Sequence, residues 1–456
     1  MKEKIFSGGE NKDMKVNKKL ILGFIFLYVY GITAIDSRPL HILFVVEYFP
    51  SSSQIYILNM ITGLIERGHT VSIFSLRKNN DRYIHPDIEK YGLLKMVTYG
   101  KFPTKLPNYD IVFCQFGGLG KVMLEIPYLS AWLQQRKMVV CLRGFDMMEY
   151  VKNSSHINNY LFKKIDLFLP VCAYFKKRFI ALGCPEKKII VHHSAINCSQ
   201  FFFKIRQKPE KGFINVIFVG RLVRKKGIPY AIKAIAEVIK KHTNVRLTII
   251  GDGPERKNLQ DLIRRLKLSG DQARILGWKN HDELVAILNR SHIFLLPSVT
   301  PSNGNVEGIA NALKEAMAMG LIPVSTWHAG TPELIDNGIS GFLVPEKNTL
   351  ALVNAINYII DHPEQWESIG LAARKKIENE FEIKKSAQEL ETIFYTLIDD
   401  KKGKENIEKL EETKEEINDA EVISSEIAIN AEEQTEAEEK IEDDHVMEEE
   451  MMDVII

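Results

Sequence analysis

The chain has 456 residues, of which 45% are hydrophobic and 26% are charged, and its formal net charge is +1. This length suffices for two domains with apolar cores, and the near-neutral charge argues against a nucleic-acid-binding protein. The five cysteines are scattered and include no CxxC pair, so they indicate buried thiols rather than a disulfide framework or a zinc site.

An uncharged apolar run, LILGFIFLYVYGITAI at residues 20–35, directly follows the lysine-rich KVNKK. This pattern is typical of a signal peptide or a membrane-associated segment, but the run is shorter than the roughly 18 residues of a spanning helix. The alternative is an extra strand or hairpin of the first domain. We therefore set residues 1–38 apart from the domains that follow.

Short apolar runs alternate with helical patterns in residues 39–205. HILFVVEYF at 41–49 predicts a buried parallel strand, and SQIYILNMITGLIERG after it returns apolar residues at helical spacing. Further strands are predicted for TVSIFSL, YDIVFCQF, KMVVCLRG, DLFLPVCA and KIIVHHS. This alternation predicts a doubly wound parallel sheet, and hence a first Rossmann-like domain at 39–205.

A charged stretch with Pro209, CSQFFFKIRQKPEKGF, interrupts the alternation and predicts a domain boundary. The pattern then resumes with the strands INVIFVG, VRLTIIG, ARILGW, HIFLLPS and LIPVSTW. We therefore place a second Rossmann-like domain at 206–380, followed at 381–400 by a helix that packs back on the first domain. Residues 401–456 are acidic and lack aromatic residues, which indicates a disordered, solvated tail; a partner-binding segment is the alternative.

The loop GRLVRKKG at 220–227 combines a glycine with a cluster of cations before a predicted helix. A helix N-terminus with cations beside it binds phosphate, and an ordinary basic surface loop is the alternative. The turn in IIGDGPE, with Gly251, is compatible with a nucleotide close to the backbone. No GxGxxG opens the first domain, so the fingerprint of an NAD or FAD site is missing.

The stretch VEGIANALKEAMAMG at 306–320 predicts a helix. Glu307 stands at the turn before this helix and Glu315 on its second or third turn. If the whole stretch were helical, the two residues would lie about 12 Å apart along the axis. Glutamates in a helix are most often solvated, so the flanking motifs decide whether this pair binds a ligand.

These motifs resemble the retaining glycosyltransferases of the GT-B fold, and among them family 4, the glycosyl transferases group 1. The resemblance covers about residues 41–398 and is most specific in VGRLVRKKGIPYAIKAI, IIGDGPERKNLQDLI, HIFLLPSVTPSNGNVEGIANALKEAMAMG and GTPELIDNGISGFLVPEKN. The first half, with QFG, RGFDM and VHHSAIN, resembles the subgroup that builds colanic acid and amylovoran. The resemblance implies an α/β GT-B fold, in which two Rossmann-like domains face each other across a deep cleft.

For the donor side, the resemblance implies that Glu315 accepts hydrogen bonds from ribose hydroxyls and that Glu307 positions the transferred sugar electrostatically. Arg221 and Lys226 would stabilise the negative charge that develops on the leaving phosphate. The full predicted donor-binding set comprises Gly220, Arg221, Lys226, Gly251, Trp278, Glu307, Gly308, Ile309 and Glu315.

Backbone groups belong to this set as well. The N–H groups of Gly308 and Ile309 would face the diphosphate at the helix N-terminus. Trp278 stands where the family holds the nucleobase, and packing is the alternative role for its side chain.

On the acceptor side, the predicted residues are Ser53, Gln54, Arg143 and Asp146. Arg143 would contact the sugar or a phosphate and completes the predicted catalytic set of Glu307, Arg221, Lys226 and Arg143. A loop salt bridge between Arg143 and Asp146 is the alternative. Gln54 stands where the family pattern has a glutamate, which leaves the identity of the acceptor open.

The sequence therefore predicts an enzyme that moves a hexose from a nucleoside-diphosphate sugar to a saccharide or lipid-linked oligosaccharide in cell-surface polysaccharide biosynthesis. No DxD motif or carboxylate–histidine cluster suggests a metal site, so we expect metal-independent chemistry and no cofactor besides the donor. The route to retention stays open between attack by a protein carboxylate and entry of the acceptor from the leaving-group face.

The expected partners are the nucleotide sugar, the saccharide acceptor and a membrane surface, with no nucleic acid. We expect a cytoplasmic enzyme at the inner face of the membrane, with anchoring or export through residues 20–35 left open. Two alternatives remain: a catalytically inactive sugar-nucleotide-binding protein and a nucleotide-sugar epimerase with similar halves.

Overall fold

The computed structural model of the chain describes residues 38–51, 54–79, 84–102, 107–144, 150 and 152–399. The chain from Leu40 onward forms one unit, and Met1–Pro39 form another, of which only the last two residues are described. The apolar run at 20–35 and the acidic stretch at 401–456 lie outside the described residues. Within the described ranges, no helix combines the length and the apolar character that crossing a membrane requires.

The first half builds a sheet from six parallel strands. These are β1 (His41–Phe49), β2 (Thr70–Lys78), β3 (Val97–Tyr99), β4 (Ile111–Cys114), β5 (Lys137–Leu142) and β6 (Leu167–Pro170). Its helices are α1 (Ile55–Glu66), α2 (Pro86–Lys90), α3 (Gly117–Glu125), α4 (Pro127–Leu133), α5 (Ser155–Lys164) and α6 (Ala173–Ala181). The strand order is β3-β2-β1-β4-β5-β6.

The second half repeats this architecture. Its strands are β7 (Ile214–Val219), β8 (Val245–Ile250), β9 (Ala273–Gly277), β10 (Ile293–Leu296), β11 (Ile322–Thr326) and β12 (Phe342–Val344). The helices are α7 (Ile228–Lys241), α8 (Arg256–Arg265), α9 (His281–Leu288), α10 (Asn311–Ala318), α11 (Thr349–Asp361), α12 (Trp366–Glu380) and α13 (Ile383–Ile398). The strand order is β12-β11-β10-β7-β8-β9.

Both sheets have the doubly wound order, in which the direction of winding reverses beside the first strand of each half. The reversal falls between β1 and β4 in the first sheet and between β7 and β10 in the second. Helices cover both faces, so β4, β6 and β10 are buried at every residue and read as continuous apolar runs. The predicted α/β fold of two Rossmann-like halves is confirmed.

The strand predicted for KIIVHHS forms only in part, as a short parallel pairing at the edge of the first sheet. In this segment only Ile189 forms a bridge, to Phe168 of β6. The chain still follows this sheet edge, because the N–H groups of Ile190 and His192 donate to the carbonyls of Phe168 and Pro170 at 3.0 Å each. The side chains of both histidines contact residues that come later in the chain. His192 Nε2 lies 3.1 Å from the carbonyl oxygen of Ser386, and His193 Nε2 lies 3.1 Å from Glu333 Oε2.

The helix α13 follows the second half but packs on α1 of the first. Its residues Leu390, Ile393 and Phe394 belong to the first apolar core, and the ring of Phe394 lies 5.4 Å from that of Phe113 in β4. The chain therefore crosses between the halves twice, near residues 196 and 382, where Ile196 and Glu382 form a bridge. The domain boundaries at 205 and 380 stay predictions.

Candidate functional site

Backbone groups form one wall of the site, where neighbouring strands of the second sheet end. The N–H of Gly220, after β7, donates to the carbonyl of Ile250 at 3.0 Å, and that of Gly251, after β8, donates to Gly277 at 2.9 Å. A Cβ at Gly251 would lie 1.9 Å from the carbonyl oxygen of Gly220, and the φ of Gly251 is +135°. Only glycine fits here, because the backbones of Gly220 and Gly251 pack directly against each other. The structure thus brings these two predicted donor residues together at the carboxyl ends of their strands.

A cation–carboxylate contact lies beside this edge. Lys226 Nζ lies 2.6 Å from Glu307 Oε1, and Lys226 is only 7% exposed. Lys226 ends a short 3-10 turn, Arg224–Lys226, directly before α7, so the basic loop is held against the strand ends. The second carboxylate oxygen of Glu307, Oε2, is buried and has no hydrogen-bond partner among the described residues. The arrangement leaves one acceptor oxygen for a ligand.

The charges around Glu307 keep its carboxyl ionised. Burial works to raise the pKa of Glu307, but the ammonium groups of Lys226 and Lys225 outweigh this effect, and the net pKa lies below the ordinary value. Burial also lowers the pKa of Lys225, although the Glu307 carboxylate acts in the opposite direction. Two amines therefore flank one carboxylate, and this excess of positive charge suits an anionic ligand.

A histidine that the sequence analysis missed holds the backbone of Glu307. The N–H of Glu307 donates to His328 Nε2 at 3.2 Å, and His328 Nδ1 donates to Glu346 Oε1 at 2.6 Å. Glu346 also accepts from the N–H of Thr300 at 2.7 Å. Since Nε2 accepts and Nδ1 donates, these bonds specify one neutral tautomer of His328. The chain of bonds locks the loop before α10 to the end of β11.

The helix predicted for 306–320 begins later than the sequence suggested. It starts at Asn311 after the extended Ala310, so Glu307, Gly308 and Ile309 precede it and the helical estimate of about 12 Å does not apply. Gly308 and Ile309 lie directly before the helix N-terminus, and their contact with a diphosphate stays a prediction. Gly308 packs tightly against the first half, since a Cβ there would lie 2.9 Å from Val171 Cγ2 and 3.1 Å from Phe175 Cε2.

Glu315 lies on the second turn of α10, as predicted. Burial raises the pKa of Glu315 to about 7, although the neighbouring Lys314 lowers it. No side-chain hydrogen bond of this carboxyl occurs among the described residues. Such a group gains most from a ligand that donates hydrogen bonds to it.

The adjacent Lys314 points elsewhere and is fully buried. Its Nζ donates to the carbonyl oxygen of Ser194 in the other half. Burial lowers the pKa of Lys314 to about 7, and the positive charge of Arg143 acts in the same direction. The sequence analysis missed this lysine, since its helix gave no sign of a buried cation.

Arg143 forms the corresponding centre of the first half, directly after β5. Its guanidinium donates to Ser194 Oγ at 2.8 Å and to Gln115 Oε1 at 2.9 Å, and it lies 4.1 Å above the ring of Tyr56. Gln115 follows β4 at the point where the strand order reverses, and its Nε2 is buried without a hydrogen-bond partner among the described residues. Ser194 thus connects Arg143 to Lys314, and hence the two sides of the site.

A second connection runs from Glu333 to the start of α6. The two carboxylate oxygens of Glu333 each accept from the N–H of Ala173 at 2.9 Å, and one also lies 3.1 Å from His193 Nε2. A carboxylate at a helix N-terminus is stabilised by the unpaired N–H groups and the helix dipole. Glu333 therefore binds the halves together beside the cleft. It lies in the GTPELIDNG stretch, and Gln115 and Ser194 lie in QFG and VHHSAIN, so these family motifs were the available signal.

The other predicted residues lie apart from these contacts. Arg221 and Trp278 are exposed at the strand ends, Trp278 to 57%. Gln54 precedes α1, and its Oε1 is buried without a partner among the described residues. Ser53 and Asp146 lie outside the described residues, so the proposed pair of Arg143 with Asp146 stays a prediction. The described ranges contain no group of three or more His, Cys, Asp or Glu side chains arranged to hold a metal ion.

Comparison with known proteins supplies independent information. A family profile for glycosyl transferases group 1 matches residues 200–376. The putative colanic acid biosynthesis glycosyltransferase WcaL of Salmonella typhimurium is 29% identical over 402 residues, covering 76% of this chain and 98% of WcaL. The amylovoran biosynthesis glycosyltransferase AmsK of Erwinia amylovora is 31% identical over 385 residues, covering 73% of this chain and 94% of AmsK.

Solved structures agree on the fold. Anabaena HepE in complex with UDP and glucose superimposes with a TM-score of 0.62 at 17% identity, covering 77% of this chain and 98% of HepE. A glycosyltransferase from Rickettsia africae superimposes with a TM-score of 0.62 at 19% identity, covering 80% of this chain and all of that one. The predicted GT-B fold is thereby confirmed.

Proposed function

Because the chain belongs to the glycosyl transferases group 1 family, we propose that it is a retaining glycosyltransferase of cell-surface polysaccharide biosynthesis. It moves a hexose from a nucleoside-diphosphate sugar to a saccharide or a lipid-linked oligosaccharide. The relatives WcaL and AmsK, named for colanic acid and amylovoran biosynthesis, support the polysaccharide role. The UDP and glucose in the HepE structure are consistent with a nucleotide-sugar donor.

The contact between Lys226 and Glu307 is the observation that carries the proposal. Its amine and carboxylate lie at the carboxyl ends of β7 and β10, where doubly wound sheets bind ligands. When the bond between the anomeric carbon and the diphosphate oxygen breaks, its electron pair stays on the leaving phosphate. Lys226, Lys225 and Arg221 place positive charge where this negative charge develops, which lowers the barrier.

The remaining donor contacts follow from the same geometry. Glu315 receives the ribose hydroxyls as hydrogen-bond donors, and the edge at Gly220 and Gly251 admits the diphosphate close to the backbone. Trp278, exposed beside this edge, faces the nucleobase. Glu307 positions the sugar through the oxygen that Lys226 leaves unpaired.

The acceptor binds on the Arg143 side. Its hydroxyl oxygen forms the new bond to the anomeric carbon, the bond from that carbon to the diphosphate oxygen breaks, and the departing diphosphate takes up the hydroxyl proton. Arg143 and the Gln115 amide supply hydrogen-bond donors for an acceptor saccharide or phosphate. The charge on the leaving group is balanced by amines and a guanidinium, so we propose that the reaction needs no divalent metal. It takes place in the cytoplasm, at the inner face of the membrane, where a lipid-linked acceptor is available.

Release of nucleoside diphosphate tests the proposal. The full chain is incubated with UDP-, GDP- and ADP-sugars in EDTA, alone and with lipid-linked oligosaccharides, beside Glu307→Ala and Lys226→Ala. We expect one donor to be consumed, in EDTA, by the wild-type chain and by neither variant. The anomeric configuration of the product, read by proton NMR, reports retention or inversion.

Matched substitutions on the surface serve as controls. Lys240→Ala removes an exposed amine of α7, and Glu378→Ala removes an exposed carboxylate of α12. Both variants should keep wild-type rates. Binding of a donor without any release, with every acceptor supplied, would instead indicate a sugar-nucleotide-binding protein, and interconversion of free nucleotide sugars would indicate an epimerase.

A further inference from the structure

The charge of the chain is divided unevenly along its length. Residues 401–456 hold a large excess of acidic residues, yet the whole chain has a net charge of only +1. The remainder therefore carries a large excess of Lys and Arg. Part of this excess is concentrated on the outer side of the first half, in and around α5 and α6: Lys152, Lys163, Lys164, Lys176, Lys177, Arg178, Lys187 and Lys188.

Some of these cations have structural roles. Lys188 Nζ donates to three carbonyls at the end of α5, among them Phe162 at 2.8 Å and Ile165 at 2.7 Å. Lys176 Nζ lies 3.3 Å from Glu186 Oε1. By contrast, Lys163, Lys164 and Lys177 are exposed and form no ion pair with any described residue. Lys152 and Lys187 are likewise exposed without an ion pair to a described residue, so five lysines of this cluster are available to a partner, and three of them lie within α5 and α6.

Apolar side chains are exposed among the free lysines. Ile157 is 36% exposed, Tyr160 41% and Ile180 36%. Ile157, Tyr160 and Lys164 follow at helical spacing on one side of α5, and Lys177 and Ile180 do so on α6. The two helices touch through their inner sides, where the rings of Phe162 and Phe179 lie 5.2 Å apart. We define the α5–α6 face as Ile157, Tyr160, Lys163, Lys164, Lys177 and Ile180.

We propose that the α5–α6 face docks onto a membrane surface that contains anionic lipids. Lysines are attracted to anionic headgroups, and the isoleucine and tyrosine side chains enter the boundary between headgroups and acyl chains. A nucleic acid offers the same negative charge but no apolar layer, so the exposed isoleucines favour the lipid surface. The lysines of the α5–α6 face thus match the negative charge of such a membrane, and its isoleucine and tyrosine side chains match the apolar layer.

The position of the face supports this assignment. The first turn of α6 reaches the cleft, since a Cβ at Gly308 would lie 3.1 Å from Phe175 Cε2. Ile180 is five residues further along the helix, about 8 Å along its axis. A bilayer on this face therefore lies beside the Arg143 side of the cleft. Membrane docking itself does not depend on the proposed function. Only its purpose, to bring a lipid-linked acceptor to Arg143, rests on that function.

Vesicle co-sedimentation of the full chain tests the docking surface. The vesicles consist of phosphatidylcholine with or without phosphatidylglycerol, at low and high salt. We expect the wild-type chain to bind only the anionic vesicles and to be released by salt. The variant Lys163→Glu/Lys164→Glu/Lys177→Glu should bind at least about 100-fold more weakly, because each lysine near an anionic surface contributes a factor of about five.

A matched variant carries the same charge change elsewhere. Lys257→Glu/Arg265→Glu/Lys267→Glu alters three exposed cations in and after α8, in the second half, and should bind vesicles as the wild type does. Tyr160→Ser/Ile180→Ser, which leaves every charge in place, should weaken binding by a smaller factor. Vesicle binding needs no turnover, so a chain that failed to transfer sugar would still report on the face.

Three results would overturn the proposal. Equal binding by both triple variants would mean that another part of the chain, such as residues 20–35, holds the membrane. No binding to anionic vesicles by the wild type would mean that the face does not dock on lipid. Binding of an oligonucleotide that depends on Lys163, Lys164 and Lys177, in the absence of vesicle binding, would assign the face to nucleic acid.

Discussion

In the second half, Lys226 meets Glu307 beside glycines that end neighbouring strands, whereas in the first half Arg143 reaches side chains from two other loops. The site in the second half consists largely of backbone groups and one ion pair. The site in the first half consists of an arginine, an amide and a hydroxyl. UDP-, GDP- and ADP-sugars all present the same diphosphate and ribose, so one backbone edge can serve each of them. Acceptors differ in shape, and a surface built from side chains can change with them.

Removal of the Lys226 amine tests the donor half and should have the largest effect. Lys226→Ala should lower kcat/KM by about 100- to 1000-fold, because it removes the cation that we propose to stabilise the charge of the leaving phosphate. The acceptor KM should stay unchanged. Steady-state kinetics with each substrate varied in turn checks this, and a rise in the acceptor KM of similar size would contradict the division between the halves.

Removal of the Arg143 guanidinium tests the opposite side. Arg143→Ala should raise the acceptor KM by about 10- to 100-fold, the effect of losing one or more charge-assisted hydrogen bonds. Slow donor hydrolysis by water should continue at the wild-type rate. If hydrolysis fell together with transfer, Arg143 would act on the donor, and the comparison would fail.

The pH dependence of donor binding tests the role of Glu315 in the second half. The Glu315 pKa of about 7 lies above the ordinary value, so the carboxyl ionises as pH rises through 7. In the proposed role, the ionised carboxylate accepts hydrogen bonds from both ribose hydroxyls. We expect the donor Kd to fall as pH rises from 6 to 8. Glu315→Gln should bind about tenfold more weakly at pH 8 and lose this pH dependence.

Calorimetry with an intact nucleotide sugar measures the donor Kd of the wild type and of Glu315→Gln at each pH. The phosphates of the nucleotide sugar do not titrate between pH 6 and 8, so the donor itself adds no pH dependence. A pH dependence that persists in Glu315→Gln would assign the titration to another group.

Lys314 lies between the halves, and its substitution should have the smallest effect. Its pKa of about 7 in the folded chain lies below the ordinary value of a lysine, so the unfolded chain binds this proton first as pH falls from 10 to 7. Wild-type stability therefore falls over this range relative to Lys314→Met, by at most about 1.4 kcal/mol per pH unit.

Urea unfolding of both chains at several pH values measures this difference in the free energy of unfolding. Lys240→Met, which alters an exposed lysine, should show a constant difference from the wild type. A constant difference for Lys314→Met as well would mean that the Lys314 amine keeps its ordinary pKa.

Much of the fold could be predicted from the sequence, because long apolar strands and amphipathic helices have clear periods. The runs that became β1, β7 and α7 were placed correctly. The short edge strands β3 and β12 were missed, since three residues carry too little pattern. KIIVHHS was assigned as a strand because its composition resembles one, but it pairs with β6 only around Ile189, and its two histidine side chains contact Ser386 and Glu333.

The site could be predicted only in part, because some of its residues are defined by tertiary contacts and not by a local sequence pattern. Lys226, Glu307 and Glu315 stand in motifs that keep their spacing, and their family resemblance identified them. Lys314 stands in the same motif as Glu307 and Glu315, and His328 lies between that motif and GTPELIDNG. Neither has a distinguishing pattern, and their importance depends on what lies opposite them in the fold. Lys314 binds the carbonyl of a residue 120 positions away.

By itself, the sequence determined two doubly wound halves, the glycines at the strand ends and the basic loop before α7, since each follows from local spacing and backbone conformation. Only the tertiary structure decided that α10 starts at Asn311, that Lys314 is fully buried beside the partly exposed Glu315, and that Glu333 caps a helix of the other half. Adjacent helical residues point about 100° apart, and the period of a helix does not say which of its sides another domain will cover.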